Sequence, residues 1–235
     1  MNLSSLAEKT IVYIEDFELF WTRSKDGFSA LDEWEDIFKN YAEKLFFIVE
    51  GNVHFFKLLG QVSTIDNWIS TAIFLQPLSS GEIQKIIVDK HKISGIDFGW
   101  KSHLLSTAKK RHLNRLFSKL NKLSGGNIGW AIMNWMAAIQ SVENDNVLIS
   151  NFNQRYVPNV LSPEWDLILV QIVLHKSIHL KDLFDVFQDQ KNELVNENVG
   201  ALVRIGFVVS ERGKLTINPF LQGYIIQYLY DKKVW

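Results

Sequence analysis

Two adjacent carboxylates, Glu15 and Asp16, follow the first apolar run of the chain, "TIVYI". Carboxylates at the end of a buried strand can hold a divalent cation and orient water for phosphoryl transfer, which depends mainly on the placement of charge. A polar residue, Asn52, follows the second apolar run, "LFFIV". Many buried strands also end in acidic residues simply because they reach solvent there. The acidic pair is therefore a candidate metal site that needs support from the surrounding elements.

Three short apolar runs rich in β-branched and aromatic residues predict strands over 10–16, 45–51 and 71–78. Between the first two runs, apolar residues at spacings of three, four and seven predict an amphipathic helix over 29–44. Strands separated by helical segments indicate a parallel sheet with crossover helices. The N-terminal part is therefore predicted to be a partial α/β core.

The middle of the chain has a helical pattern. Serine residues precede an amphipathic run that ends at Gly95, as helix start and stop signals do. Two further helices are predicted over 101–122 and 126–142, the second preceded by "SGGN". We expect a small helical subdomain here.

The C-terminal part combines helices with a hairpin. Helices are predicted over 162–176, 179–188 and 191–207, then two β-rich segments flank the turn "ERGK", and a closing helix follows. Three helices followed by a β-hairpin are typical of a winged helix, a helix-turn-helix variant. The third helix is nearly neutral, since Lys191 and Arg204 are offset by Glu193 and Glu197. This balance favours packing or partner docking over the reading of DNA bases.

One segment is strongly basic. Residues 101–122 contain seven Lys or Arg and no acidic residue. The side chains that could contact a polyanion are Lys109, Lys110, Arg111, Arg115 and Lys119. The same segment has the apolar spacing of an ordinary amphipathic helix with a solvated face, and we favour that interpretation.

The order of these motifs resembles the C-terminal part of an AAA+ or STAND-type P-loop ATPase. "IVYIED" resembles a Walker B strand, "FFIVEGN" resembles a sensor-1 strand, and "LSGGNIGWAIMNW" is similar to the "GGNPGRAL" pattern of a sensor-2 helix. The resemblance implies that Glu15 and Asp16 are catalytic, holding Mg²⁺ and orienting water, and that Asn52 senses the γ-phosphate. It also implies that a helical lid near Asn127 and Trp130 closes over the nucleotide. Trp130 departs from the family pattern, which has an arginine there.

The phosphate-binding half of such a site is missing from the sequence. No "GxxxxGK[ST]" motif occurs, so the chain supplies neither the nest of backbone amides nor the lysine that cradles the β-phosphate. We expect ATP and Mg²⁺ to bind to the intact, longer protein. We expect this chain alone to bind neither. An upstream P-loop segment or a protein partner would complete the site. The alternative is a degenerate scaffold that serves as a non-catalytic interaction module or a DNA-binding winged-helix module.

Composition limits the remaining classes. The 235 residues are 47% hydrophobic and 22% charged, with no cysteine, which excludes disulfides and thiolate metal sites. Short apolar runs and the lack of a signal-peptide pattern predict a cytoplasmic protein without membrane insertion. The predicted fold is helix-dominated: a partial parallel α/β core (1–79), a helical lid (80–147) and a winged helix (148–235).

Overall fold

The computed structural model describes residues 3–95, 97–98, 106–143, 146–149, 152 and 161–234. Within these ranges helices predominate. The described residues form two compact units. The first contains those up to Phe74, those of 161–218 and those of 229–234, and the second contains those of 75–152 and 219–228. The first unit thus combines most of the predicted α/β core with most of the predicted C-terminal domain.

In the first unit, strand β1 (Thr10–Ile14) pairs in parallel with β2 (Leu45–Val49), so that Ile14 lies opposite Val49. Helix α1 (Lys25–Tyr41) makes the crossover, and helix α2 (Val53–Val62) follows β2. The two predicted strands and the connecting helix are confirmed. The predicted strand over 71–78 was wrong, because this segment has no regular structure and leaves Ile73 and Leu75 exposed.

The core of this N-terminal part is aromatic. Phe17, on a short 3-10 helix (Phe17–Phe20) just after β1, is 2% exposed. Its ring lies 5.3 Å from that of Trp34 and 6.0 Å from that of Phe55, both in edge-on geometry. Such pairs add to the free energy gained by burial. Helices α1 and α2 are held together here because each contributes a ring to the same cluster.

The first unit also contains α6 (Pro163–Leu174), β6 (Ser177–His179), α7 (Leu180–Val186), α8 (Asn192–Arg204), β7 (Val208–Glu211) and β8 (Lys214–Ile217). Strands β6, β8 and β7 form an antiparallel sheet in that order. Helix α6 is buried at every position from Ile168 to Leu174, as a central core helix must be. Ser162 caps it by accepting a hydrogen bond from the Trp165 amide, and Pro163 occupies its first turn.

The second unit contains α3 (Ser80–Ser94), α4 (Ser106–Ser124) and α5 (Ile128–Ala138), so the three helices predicted for the middle of the chain are present. The helix predicted over 126–142 extends too far, because Ile139–Glu143 form a strand. Strands β3 (Asp97–Phe98), β5 (Asn146–Ile149) and β4 (Ile139–Glu143) form a small sheet in that order. The hydrophobic core of the second unit contains Ile83, Ile87, Phe117, Leu120 and Trp135. Helix α9 (Gln222–Asp231) contributes residues up to Tyr228 to this unit and the rest to the first.

The turn before α5 depends on a close approach of two backbones. Gly126 has a φ of 77°, and its carbonyl accepts a hydrogen bond from the Leu78 amide. A Cβ at this position would lie 2.5 Å from the Pro77 side chain and 2.9 Å from the Leu78 backbone. Only glycine tolerates both the left-handed conformation and the lack of space. The neighbouring Gly125 is also left-handed, but a Cβ there would meet nothing within 4 Å.

Among the residues that the structure describes, every helix is too short or too polar to cross a bilayer.

Candidate functional site

The carboxyl ends of β1 and β2 meet at one edge of the parallel pair. Beyond the paired residues, the Glu50 amide donates to the Ile14 carbonyl (2.8 Å), and the Phe17 amide donates to the Glu50 carbonyl (2.9 Å). These bonds extend the pairing past the strands and bring residues 15–18 beside residues 50–52. Glu15, Asp16 and Asn52, which follow the two predicted strands, therefore lie near one shared strand edge.

Asp16 is held in a left-handed backbone conformation, with a φ of 49° and a ψ of 50°. Its Oδ1 lies 2.6 Å from the Nζ of Lys176, which is itself left-handed with a φ of 57°. The hydrogen bond to Asp16 raises the pKa of Lys176 above its usual value. The carboxylate that the sequence assigned to a metal thus has a lysine as its partner.

The second predicted carboxylate, Glu15, is exposed. Nearby, Glu50 accepts a hydrogen bond from the Tyr13 hydroxyl, and this bond raises the pKa of Tyr13 to about 12. Within the described ranges, no group of three or more His, Asp or Glu side chains is arranged to hold a metal ion. Asp16 and Glu50 thus bond to different partners, Lys176 and Tyr13.

Asn52 uses both ends of its side chain. Its Oδ1 accepts a hydrogen bond from the His54 amide at 2.8 Å and so caps α2, while its Nδ2 donates to the Val173 carbonyl of α6 at 2.7 Å. Its backbone amide donates to Oε2 of Glu18 at 3.0 Å. Asn52 therefore anchors α6 to the edge of the strand pair.

Glu18 is not among the residues that the sequence predicted for a site. Its side chain is buried, 2% exposed, although it stands in an apolar run, "FELF", where nothing signals a special role. A Cβ at Gly51 would lie 2.8 Å from the Glu18 carboxylate, so glycine keeps space for this buried acid. The Asn52 amide satisfies one of its oxygens, as a buried carboxylate requires.

His175, at the end of α6, makes the third link to the strand edge. Its Nδ1 lies 3.1 Å from the Glu18 carbonyl, and because a carbonyl can only accept, Nδ1 carries the proton. Burial lowers the pKa of His175, while the bond to Glu18 and the charge of Asp182 act in the opposite direction. The imidazole is therefore held neutral at pH 7.

A cavity of about 210 Å³ lies beside this histidine. Buried residues Glu18, Trp21 and His175 line it together with the more exposed Asp182 and Lys214. The Trp21 Nε1 and His175 Nε2 atoms are buried without a hydrogen-bond partner among the described residues.

The predicted helix over 179–188 begins one residue later, at Leu180, because Ser177 to His179 form β6.

The predicted lid residues belong to the second unit. Asn127 caps α5, since its Oδ1 accepts a hydrogen bond from the Trp130 amide at 3.0 Å. Trp130 packs against Gly223, where a Cβ would approach the indole to 2.9 Å. Both residues thus have local structural roles in this unit.

The predicted basic residues lie on α4. Arg111, Arg115 and Lys119 are exposed, whereas the side chains of Lys109 and Lys110 lie outside the described residues. Arg115 and Lys119, with Lys122, line a groove of about 760 Å³ that also borders the first turn of α3 at Ser80 and Gly81. This part of the sequence prediction therefore corresponds to a concave, positively charged surface.

Comparison with protein-family models, with curated proteins and with solved structures found no match to this chain.

Proposed function

We propose that this chain is the C-terminal portion of an AAA+/STAND-type P-loop ATPase, which couples a nucleotide-binding core to a partner through a lid and a winged helix. The observation that carries this proposal is the bonding at the strand edge. Asp16, Glu18 and Asn52 each bond to the segment Val173–Lys176. The edge where such an ATPase binds nucleotide is therefore joined directly to the C-terminal helices.

The exposed face of the strand pair supports an additional partner segment. Ile11 and Tyr13 of β1 are 63% and 52% exposed, and Phe46 and Ile48 of β2 are 60% and 42% exposed. Parallel sheets in α/β proteins are normally covered on both faces. An upstream P-loop segment or a protein partner would cover this apolar face, and either would account for its composition.

The order of elements in the C-terminal part supports a winged helix. A helix, a short strand, two helices and a β-hairpin follow one another, and the short strand β6 pairs with the hairpin strand β8. The turn between β7 and β8 contains Arg212 and Gly213, both left-handed. Such a turn matches the twist of a hairpin.

The side chains of this chain by themselves do not fit Mg²⁺ or ATP. Asp16 is already bonded to an ammonium group, and both polar atoms of the Asn52 side chain are engaged. A bound magnesium ion would supply charge stabilisation for phosphoryl transfer. Within the proposed longer protein, this chain's contribution is to hold the C-terminal helices against the strand edge. We therefore expect the isolated chain to be inactive as an ATPase.

The same geometry favours a second candidate function, a non-catalytic interaction or nucleic-acid-binding module on a degenerate ATPase scaffold. Asp16 and Asn52 act in this fold as structural links, and a scaffold that had lost hydrolysis would keep such links. The basic groove on α4 provides a surface for a partner.

A phosphate-release assay with Mg·ATP tests the first proposal. We expect no turnover by the purified chain of 235 residues. If the purified chain did hydrolyse ATP and Asp16→Asn abolished that activity, the proposal that the site is completed by a segment outside this chain would be wrong. The upstream reading frame should encode a "GxxxxGK[ST]" motif. A polypeptide extended by that segment should release phosphate in the same assay. A reading frame without that motif would reject the ATPase and leave the second candidate.

A further inference from the structure

Helix α4 carries a continuous stripe of positive charge. Arg111, Arg115, Lys119 and Lys122 follow one another at spacings of four, four and three residues, so they share one face of the helix. At about 1.5 Å per residue the stripe is roughly 16 Å long. No acidic residue occurs in the α4 sequence, and none of the ion pairs among the described residues involves these four side chains. Within the described ranges, therefore, these four charges have no ion-pair partner and can contact a ligand.

The groove beside this stripe offers further donors. Arg115, Lys119 and Lys122 line it from α4, and Ser80 and Gly81 line it from the first turn of α3. The capping box uses the amides of Ser79 and Glu82, whereas the two amides between them precede the first backbone bond of the helix. A Cβ at Gly81 would meet nothing within 4 Å, so an approaching ligand is not obstructed there.

The opposite face of α4 argues against a membrane as the ligand. Phe117 and Leu120 are fully buried, and Leu113 and Leu116 pack partly buried against the same core. A helix that lies in a lipid interface needs an exposed apolar face to insert. Because α4 has already buried its apolar face within the protein, only its cationic face is available.

We propose that the α4 groove binds the phosphodiester backbone of nucleic acid without sequence preference. A row of cations about 16 Å long matches successive phosphates of a strand better than one compact anion. Among the described residues that line the groove there is no aromatic side chain on which bases could stack. This inference rests on the second candidate function: it names the ligand, and it assigns the site to α4 instead of the C-terminal helices.

Fluorescence anisotropy with a labelled 20-base-pair duplex DNA of mixed sequence tests this proposal. A single-stranded RNA of equal length is measured in parallel, to show whether the groove prefers the backbone of duplex DNA or that of single-stranded RNA. The three cations that line the groove, Arg115, Lys119 and Lys122, predict a duplex affinity that falls about 40-fold between 50 and 200 mM salt, since each phosphate contact contributes about −0.9 to the logarithmic slope. A scrambled duplex should bind equally well.

The test variant is Arg115→Glu/Lys119→Glu/Lys122→Glu. We expect it to bind at least about 10-fold more weakly at 50 mM salt and to lose most of the salt dependence, because its three phosphate contacts are gone. The matched control, Lys191→Glu/Arg204→Glu/Arg212→Glu, changes the net charge equally but alters exposed residues of the C-terminal helices and hairpin. It should bind like the original chain. Circular dichroism confirms that both variants are folded.

Four results would overturn the proposal: no binding of duplex DNA or RNA at 50 mM salt, equal losses in the two triple variants, a loss confined to the control variant, or binding of phosphoinositide vesicles in place of nucleic acid. A loss confined to the control would assign DNA binding to the winged helix. None of these results alters the phosphate-release experiment, so the failure of either proposal can be recognised separately.

Discussion

Replacing Asn52 tests whether its side chain links α6 to the strand edge. Asn52→Ala removes two interactions at once: the cap of α2, at 2.8 Å to the His54 amide, and the bond of 2.7 Å to the Val173 carbonyl. Asn52→Ser keeps an oxygen that can cap the helix but is too short to reach Val173. Comparison of the two variants therefore separates capping from anchoring.

The size of each effect follows from the type of bond. Loss of a helix N-cap costs about 1 kcal/mol, and loss of a hydrogen bond between uncharged groups costs about 1 kcal/mol when the partner keeps another donor. The Val173 carbonyl does keep one, since the Lys176 amide lies 3.3 Å from it. We expect Asn52→Ala to lower the free energy of unfolding by about 2 kcal/mol, and Asn52→Ser by about 1 kcal/mol.

Asn127 provides the matched control, because it caps α5 through the Trp130 amide at 3.0 Å. Asn127→Ala should cost about 1 kcal/mol and Asn127→Ser almost nothing. The free energies are measured by urea denaturation followed by circular dichroism at 222 nm. If Asn52→Ala and Asn127→Ala are equally destabilising, or if Asn52→Ser costs nothing, the bond to Val173 does not anchor α6 and our reasoning is wrong.

Three further predictions concern two turns and the histidines His54 and His175. Gly126→Ala should lower the free energy of unfolding by more than about 2 kcal/mol, because its Cβ would lie 2.5 Å from a neighbouring side chain, whereas Gly125→Ala should cost only about 1 kcal/mol for its left-handed backbone. Burial lowers the pKa of His175 and of His54 below the ordinary 6.5, so each binds fewer protons when folded than when unfolded. Stability should therefore be complete above pH 6.5 and fall as the pH drops through the lowered values, which urea midpoints between pH 7.5 and 5 would show. Arg212→Asn should raise the free energy of unfolding by about 0.5 kcal/mol, and with it the thermal midpoint, since Asn followed by Gly suits the left-handed turn between β7 and β8.

Each of these predictions has a clear opposing result. Equal losses at the two glycines would show that the space around them is irrelevant. An unchanged acid dependence in the double variant His54→Gln/His175→Asn would assign the loss of stability to other groups. A lower midpoint for Arg212→Asn would mean that the arginine side chain stabilises the hairpin.

Much of the fold was predictable because local patterns carried it. Runs of apolar β-branched residues predicted β1 and β2, and apolar spacing predicted the connecting helix. The segment 71–78 had a similar composition and is nevertheless not a strand. A strand needs a hydrogen-bonded neighbour, and composition alone does not say whether one is present. For the same reason the three-residue strand β6 was missed, since its partner β8 lies far along the chain.

The candidate site was predicted in part. The positions of Glu15, Asp16 and Asn52 near one edge followed from the rule that the carboxyl ends of parallel strands meet. Their bonding partners did not follow from any such rule. Val173 and Lys176 are more than 100 positions away in the chain, and no spacing or motif relates them to the strands. Glu18 was overlooked because a buried acid in an apolar run has no distinctive local pattern.

By itself, the sequence determined most of the helices and the strands β1 and β2, where the cations cluster, and that the chain has no phosphate-cradling loop. These properties depend on neighbours in the chain, through side-chain periodicity, capping residues and glycine. Tertiary structure alone decided that Asp16 pairs with Lys176, that Asn52 holds α6, and that the α4 cations border a groove. Such contacts join residues that are distant in sequence, and they form only when packing of the core brings their elements together.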